Sequence, residues 1–352
     1  MYFKWRGRGS PSPPSKKAQT DFLRGYQIRV FIFIARAYIK HFLTYFVLAH
    51  FLLSVLWLFP HQAYGEDKGL EDVRPSILAG TWYPGNADGL TRAIQGYLSR
   101  VETLHLDGKL KALIVPHAGY IYSGPVAAHA YRLLQKRQFR RVILVGPSHR
   151  VGFAGVSVNL QSGYETPLGI VPVDQKLARK ILNASPHTKW LRKVHASEHS
   201  LEIQLPFLQT VLQNFEIIPI IMGQQDPDTC SNLWKTIVQV LANAEDTLLI
   251  ASSDLSHFHS YNQARALDQT FIDHVRAFDP QGLARDLRLR KCEACGGGPV
   301  ITILFAARNL GANRTVILNY ANSGDVTGNH RSVVGYLSAA VIRSSDTGPR
   351  PK

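Results

Sequence analysis

Apolar runs alternate with stretches of helical periodicity between residues 75 and 345. Three short runs, Ala112–Val115, Val142–Val145 and Thr247–Ala251, are rich in aliphatic residues and contain almost no polar side chain. Runs of this length and composition are typical of buried parallel strands. In Leu90–Val101, by contrast, leucine and isoleucine recur every fourth position, which predicts an amphipathic helix.

The remaining segments follow the same alternation, and no linker-like stretch or internal repeat divides residues 75–345. Alternating strands and helices predict an α/β fold. We therefore expect one domain, built as a three-layer sandwich around a mostly parallel central sheet. The further predicted helices are Val126–Lys136, Val173–Leu182, Ser200–Gln213, Asn232–Ala242, Gln263–Phe278 and Val300–Leu310, and the further strands are Ala154–Asn159, Glu216–Met222, Val316–Asn319 and Val333–Val341.

Polar residues with catalytic or metal-binding chemistry follow the three apolar runs. His117 comes directly after the first run and Pro116, and His149 follows the second. Asp254 and His257 follow the third. Because binding sites of open α/β sheets form beyond the carboxyl ends of the strands, we expect these side chains to converge.

A thiol joins this set. Cys295 precedes a glycine-rich start of the predicted helix Val300–Leu310, where a helix dipole would lower the pKa of the thiol and favour thiolate. Histidine, cysteine and aspartate in one crevice form a transition-metal ligand set. Two alternatives stay open: Cys295 is a small buried residue, or it forms a disulfide or redox pair with Cys292.

The spacing of Asp254 and His257 allows two interpretations. If a helical turn begins at Asp254, the two side chains share a face. Alternatively, Asp254 only caps a helix. His199 is a further candidate, because it lies with Glu198 and Glu202 at the start of the predicted helix, where the helix dipole explains the acids but not the histidine.

Other catalytic and binding classes receive little support. Ser148 lacks the Gly-x-Ser-x-Gly pattern of a nucleophile elbow, which argues against a serine hydrolase. The net charge of +15 suggests nucleic-acid binding, but residues 1–65 contain nine Lys/Arg and one acid, so half of the excess lies outside the predicted domain. We therefore expect no nucleic-acid partner.

The amino-terminal region reads as a targeting segment. Residues 1–40 form a basic, disordered leader, and 41–65 contain an apolar run that ends near Ala63-Tyr64-Gly65, as in a signal peptide or membrane anchor. The α/β domain spans 70–345, and 346–352 form a disordered tail. We expect the domain to lie outside the cytoplasmic membrane, with a cytoplasmic protein carrying a wrongly extended start as the alternative.

Taken together, the motifs resemble those of the Memo family, also called AmmeMemoRadiSam system protein B. The resemblance covers residues 74–343, and its specificity comes from the combination and order of the motifs. These motifs are Arg74-Pro75, Ala79–Pro84, Pro116–Tyr120 with Ser123-Gly124, Gly146–His149, Glu198–Glu202, Ser252–His257 and Cys295-Gly296.

The resemblance implies a fold similar to that of LigB-type extradiol dioxygenases and a metal bound by His117, His149 and Cys295. It places His257 at the position of a catalytic base, beside Asp254, with His199 lining the pocket. A thiolate in place of the dioxygenase carboxylate favours iron or copper, with zinc as a further candidate, and argues against ordinary catechol cleavage.

The expected function is accordingly that of a non-haem, metal-dependent redox enzyme with a small-molecule substrate. The family resemblance also implies partnership with an AMMECR-type domain protein and a radical SAM enzyme. The alternative is a non-catalytic protein that uses the same pocket to bind a metal, a peptide or a small anion.

Overall fold

The computed structural model describes residues 72–241 and 245–344, which belong to one unit, Gly69–Lys352. The expected leader (1–40), the signal peptide or anchor (41–65) and the tail (346–352) lie outside the described residues. Within the two described ranges, no helix combines the length and apolar character needed to cross a membrane.

Helices and strands alternate along the chain, as the apolar periodicity predicts. The helices are α1 (Ala87–Ser99), α2 (Tyr120–Arg132), α3 (Gln175–Asn183), α4 (Arg192–Ala196), α5 (Leu205–Val211), α6 (Pro227–Leu241), α7 (Tyr261–Arg276), α8 (Pro280–Arg288), α9 (Gly297–Asn309) and α10 (Ser323–Thr327). The strands are β1 (Val73–Arg74), β2 (Lys109–Val115), β3 (Arg141–Pro147), β4 (Val156–Val158), β5 (Gly163–Thr166), β6 (Gly169–Pro172), β7 (Thr188–Lys189), β8 (Glu216–Met222), β9 (Thr247–Ser252), β10 (Asp254–His259), β11 (Arg314–Asn322) and β12 (Val333–Arg343).

The larger sheet of the described residues has the strand order β10-β12-β2-β9-β3-β8-β4-β7, with β11 paired to β12. Its centre is parallel, since β9 pairs in parallel with both β2 and β3, and β3 pairs in parallel with β8. Antiparallel pairs flank this centre, β12 with β2 on one side and β4 with β8 on the other. The three apolar runs noted in the sequence are therefore adjacent strands, and their carboxyl ends meet at one edge.

Two groups of helices cover the sheet. In one group, α2 packs against β2, β11 and β12 and contacts α1 and α5. In the other, α9 packs against β2, β3 and β9 and contacts α6 and α8. Helix α1 shows the underlying pattern, because Leu90, Ile94 and Leu98 are buried and each contributes about 1.5–3 kcal/mol of apolar burial. The predicted single-domain α/β sandwich is confirmed.

The segment after β9 differs from the prediction. Asp254–His259 is strand β10, so both the helical-turn and the helix-cap interpretations of Asp254 are wrong. The cause is β12, which is long enough to pair with β2 and then with β10, matching Ala339 to Ile114 and Tyr336 to Asp254. Two register shifts interrupt the β10–β12 pairing around His257, which bends this strand beside the sheet edge.

The predicted helix Ser200–Gln213 is shorter than expected. It begins as a 3₁₀ turn at Glu202–Gln204 and becomes helical only from Leu205. The side chains of Glu202 and Gln204 form hydrogen bonds with residues far away in the sequence. These bonds favour an irregular first turn over a regular α-helical one. Helices α4, α8 and α10 are absent from the predicted elements.

Candidate metal centre

Three imidazoles converge at the carboxyl edge of the central strands. The ligand atoms of His117, His149 and His199 all lie within 4.8 Å of one another, so this group could hold a metal ion. The ring centre of His117 lies 5.1 Å from that of His149 and 5.3 Å from that of His199, with nearly perpendicular planes. The expected convergence of His117 and His149 is therefore present, and His199 joins them.

His117 is fixed by three contacts. Its backbone N–H donates to Asp254 Oδ1 at 2.7 Å, and its Nδ1 lies 3.0 Å from Ser252 Oγ. Its Nε2 lies 3.1 Å from Cys295 Sγ. Burial, together with the charges of neighbouring histidines, lowers the pKa of His117 well below its usual value, so the ring is neutral and can act as a ligand.

A single buried carboxylate orients His149 and His199. Glu198 Oε1 lies 2.9 Å from His149 Nδ1, and Oε2 accepts from the His149 backbone N–H at 2.6 Å. Oε1 also accepts from the backbone N–H groups of His199 and Ser200, each at 2.9 Å. Burial alone would raise the pKa of Glu198, but the two hydrogen bonds from His149 and the charges of His149 and His199 lower it to about 2. A carboxylate bound to Nδ1 leaves Nε2 of His149 facing the cluster.

His199 packs between two rings. It stacks on His149 with ring centres 4.3 Å apart and planes inclined by 26°, and it lies 4.6 Å from the Trp82 ring. Its buried Nδ1 is 3.3 Å from Glu198 Oε1 but makes no hydrogen bond to any described residue. Burial lowers the pKa of His199 to about 4, which keeps this ring neutral at physiological pH.

Cys295 lies in the loop before α9, whose capping residue is Gly296, so the thiol stands just outside the helix. Its backbone N–H donates to the Asp254 carbonyl at 3.3 Å, and Gln225 Nε2 donates to the Cys295 carbonyl at 2.7 Å. Burial and the Asp254 charge raise the pKa of the thiol, so the predicted lowering is wrong. All three described cysteines are free, and Cys292 is buried without a disulfide to Cys295.

Asp254 and His257 stand beside the imidazoles rather than among them. Burial raises the pKa of Asp254 to about 7, although the N–H groups of His117 and Ala118 oppose this shift. His257 Nδ1 lies 2.8 Å from the Leu255 carbonyl. Burial lowers the pKa of His257, and a positive charge on His149 lowers it further. Neither belongs to the metal-capable group found among the described residues, and the predicted ligand Cys295 does not belong to it either.

Sequence reasoning did not identify the supports of the site. Glu198 had been explained by a helix dipole, whereas it bonds His149, which lies 49 residues away. Buried Arg74 pairs with buried Glu202 at 2.5 Å and donates to the Glu198 carbonyl at 2.8 Å. These residues fall within the motifs that suggested the family, but nothing local in the sequence reveals their long-range contacts.

Comparison with known proteins gives a family match, similar relatives and a structural neighbour. The family described as Memo-like protein matches residues 74–340. A MEMO1 family protein of Methanothermobacter thermautotrophicus is 36% identical over 275 residues, covering 75% of this chain and 98% of that protein. One from Methanosarcina acetivorans is 37% identical over 273 residues, covering 77% and 99%. The crystal structure of an uncharacterized Escherichia coli K12 protein aligns with a TM-score of 0.44 and 14% identity, over 66% of this chain and 100% of the other. The family match and these relatives show that the chain belongs to the Memo-like family.

Proposed function

We propose that this protein is a metal-dependent redox enzyme whose transition metal is held by His117, His149 and Cys295. One observation carries the proposal: the Cys295 thiol lies 3.1 Å from His117 Nε2, at the edge of a cluster of three imidazoles. The donor set fits a transition metal, since imidazole and thiolate together suit such ions.

The ring planes favour Cys295 over His199 as the third ligand. A nitrogen lone pair lies in the plane of its ring, so two stacked imidazoles direct their lone pairs along separate, nearly parallel planes. His149 and His199 are stacked in this way, inclined by 26°, whereas His117 and His149 are inclined by 87° and can converge on one point. In this proposal, His199 packs on the ligand His149 and lines the substrate pocket.

The thiol determines which metals the site prefers. When bound, iron or copper would supply one-electron chemistry toward dioxygen and an organic substrate, and zinc would supply only polarisation. Because burial raises the pKa of Cys295, metal binding must displace the thiol proton, and the affinity should increase with pH. Glu198 and Ser252 hold the imidazoles of His149 and His117 in the orientation that binding requires.

His257 is the proposed acid–base residue. Its lowered pKa keeps the ring neutral at physiological pH, so it can accept a proton from a substrate hydroxyl. Asp254 accepts a hydrogen bond from the backbone N–H of His117 and lies three residues before His257 in β10. His199, stacked on His149 and neutral at physiological pH, is proposed to line the substrate pocket.

Oxygen uptake tests this function. The full-length protein, loaded anaerobically with iron(II) or copper(I), should consume dioxygen with catechol or ascorbate as the electron donor. His257→Asn should lower kcat about 100-fold or more while the metal content stays unchanged. Cys295→Ser should abolish both metal retention and uptake. Full metal loading without uptake from either donor would remove the catalytic proposal.

A second candidate is capture of an anion without turnover. Exposed Arg150 follows His149, and its positive charge lowers the pKa of His199, which places it close to the imidazoles. Calorimetry of the metal-free protein with a phosphotyrosine peptide separates the two functions. Binding that is lost in Arg150→Gln, together with absent oxygen uptake, would favour this candidate.

We also propose protein partners and a cellular location from the sequence. The family resemblance supports association with an AMMECR-type domain protein and a radical SAM enzyme, which co-purification from the native cell tests. In residues 1–65 a basic region is followed by an apolar run and then by small residues. This order supports export, or anchoring with the domain outside the cytoplasmic membrane. Recovery of the full-length protein only in the cytosolic fraction would contradict it.

A further inference from the structure

A cavity lies beside the loop that carries Cys295. It has a volume of about 980 Å³ and is bordered by α6, α8 and α9. Residues 292–294 and 297–298 of the loop and the first turn of α9 line the cavity, whereas Cys295 itself contacts His117. The cavity is large enough for a small organic ligand.

The floor of this cavity is apolar. Trp234 of α6 stacks on Phe305 of α9, with ring centres 5.6 Å apart and planes inclined by 20°. Leu287 and Ile301 complete this surface. Aromatic and aliphatic walls of this kind favour an apolar ligand body, because they release water when covered.

The rim of the cavity is cationic. Lys235, Arg285, Arg288 and Arg290 line it and are exposed. Within the described residues, Arg288 and Arg290 have no acidic partner, and Lys235 only approaches the Trp234 ring, at 5.6 Å. Arg285 makes a long contact of 3.4 Å with Asp286. Guanidinium groups next to an apolar wall suit a carboxylate or phosphate.

The two acids of the lining do not neutralise this rim. Asp226 accepts from the backbone N–H and hydroxyl of Thr229, at 2.9 and 2.8 Å, and so caps the start of α6. Glu293 lies 2.8 Å from His259 Nε2. Both carboxylates are bound to neighbours outside the basic rim, and the four cations of the lining outnumber them, so the cavity offers an excess of positive charge to a ligand.

We propose that this cavity is a binding site for a small amphipathic anion with an aliphatic or aromatic body and a carboxylate or phosphate head. The body lies on Trp234 and Phe305, and the head pairs with Arg285 and Arg288, which are three residues apart on α8. The site does not depend on the metal centre or on the redox function.

Three ligands of equal chain length test the proposal: decanoate, decyl phosphate and decylamine. Binding to the full-length protein is followed by tryptophan fluorescence, with Trp234→Phe identifying the reporting residue. We expect saturable binding of at least one of the two anions, and decylamine should bind at least about tenfold more weakly, corresponding to the loss of one charge-assisted hydrogen bond. The preferred anion identifies the head group. Absent saturation with both anions, or equal affinity for decylamine, would overturn the proposal.

Paired variants locate the site. Arg285→Gln with Arg288→Gln should weaken anion binding at least about tenfold. The matched control, Arg179→Gln with Lys180→Gln, removes the same charge from exposed positions on α3 and should leave binding unchanged. Ala284→Trp fills the cavity and should block binding while metal content stays normal. Unchanged binding in both the arginine variant and the filled variant would contradict the assignment.

Discussion

Replacing Glu198 with glutamine perturbs the site without removing any proposed ligand. Oε1 receives three donors and Oε2 receives the His149 backbone N–H at 2.6 Å. If the glutamine oxygen takes the Oε1 position, its NH₂ group faces that N–H, and two donors confront each other. The reverse orientation places the NH₂ group against three donors and is therefore less favourable in free energy. His149 then loses its charged support and one backbone N–H loses its acceptor.

The magnitudes follow from these contacts. An unsatisfied buried donor costs about 1–3 kcal/mol of folding free energy. Loss of a carboxylate that orients a metal-binding imidazole lowers metal affinity about 10- to 100-fold, which corresponds to about 1.4–2.7 kcal/mol. We therefore expect Glu198→Gln to remain folded but to bind metal markedly more weakly.

Competition with a chelator measures the affinity, and urea unfolding of the metal-free protein measures the stability. Asp174→Asn is the control, because Asp174 is also a buried acid and caps α3, which does not carry a proposed ligand. The control should lose stability and keep its metal affinity. If Glu198→Gln binds metal within about twofold of the wild type, well short of the tenfold loss expected when an orienting carboxylate is removed, then Glu198 does not position His149.

Three further predictions concern the scaffold. Arg74→Ala removes the ion-pair partner of the buried Glu202, which should cost about 3–5 kcal/mol in urea unfolding. Burial raises the pKa of Asp174, but the hydrogen bonds from Arg141 and the Leu177 N–H and the charges of Arg141 and Arg140 together lower it below 3.8. The stability that this carboxylate contributes is therefore present above pH 3.8 and is lost as the pH falls, and acid titration of stability should show a smaller loss in Asp174→Asn. Gly155 has φ of +81° and its Cβ position is occupied by a backbone carbonyl, so Gly155→Ala should lower the unfolding free energy by more than about 1 kcal/mol, measured by thermal denaturation.

Local sequence pattern was sufficient for the strand-end residues. His117 and His149 follow apolar strands that pair through β9, and parallel pairing alone brings their ends together. The same reasoning could not reveal Glu198 as the residue that orients His149, because the two are 49 residues apart and the acid has a satisfactory local explanation.

Two other differences arise from long-range packing. Asp254 lies in a strand because β12, about 80 residues later, extends past β2 and pairs with it. Cys295 was expected to be acidic at a helix start, but it lies before the helix and its burial dominates its pKa. In both cases, packing against residues that are distant in the sequence outweighs the local propensity.

Metal content of the full-length protein and its variants tests the central claim most directly. Purified wild type, His117→Ala, Cys295→Ser and His199→Ala are analysed by mass spectrometry for iron, copper and zinc, with circular dichroism confirming the fold. If His117, His149 and Cys295 hold the metal, the first two variants lose most of it and His199→Ala retains it. Retention of the wild-type metal content by Cys295→Ser, with loss in His199→Ala, would contradict the account and assign the site to the three imidazoles.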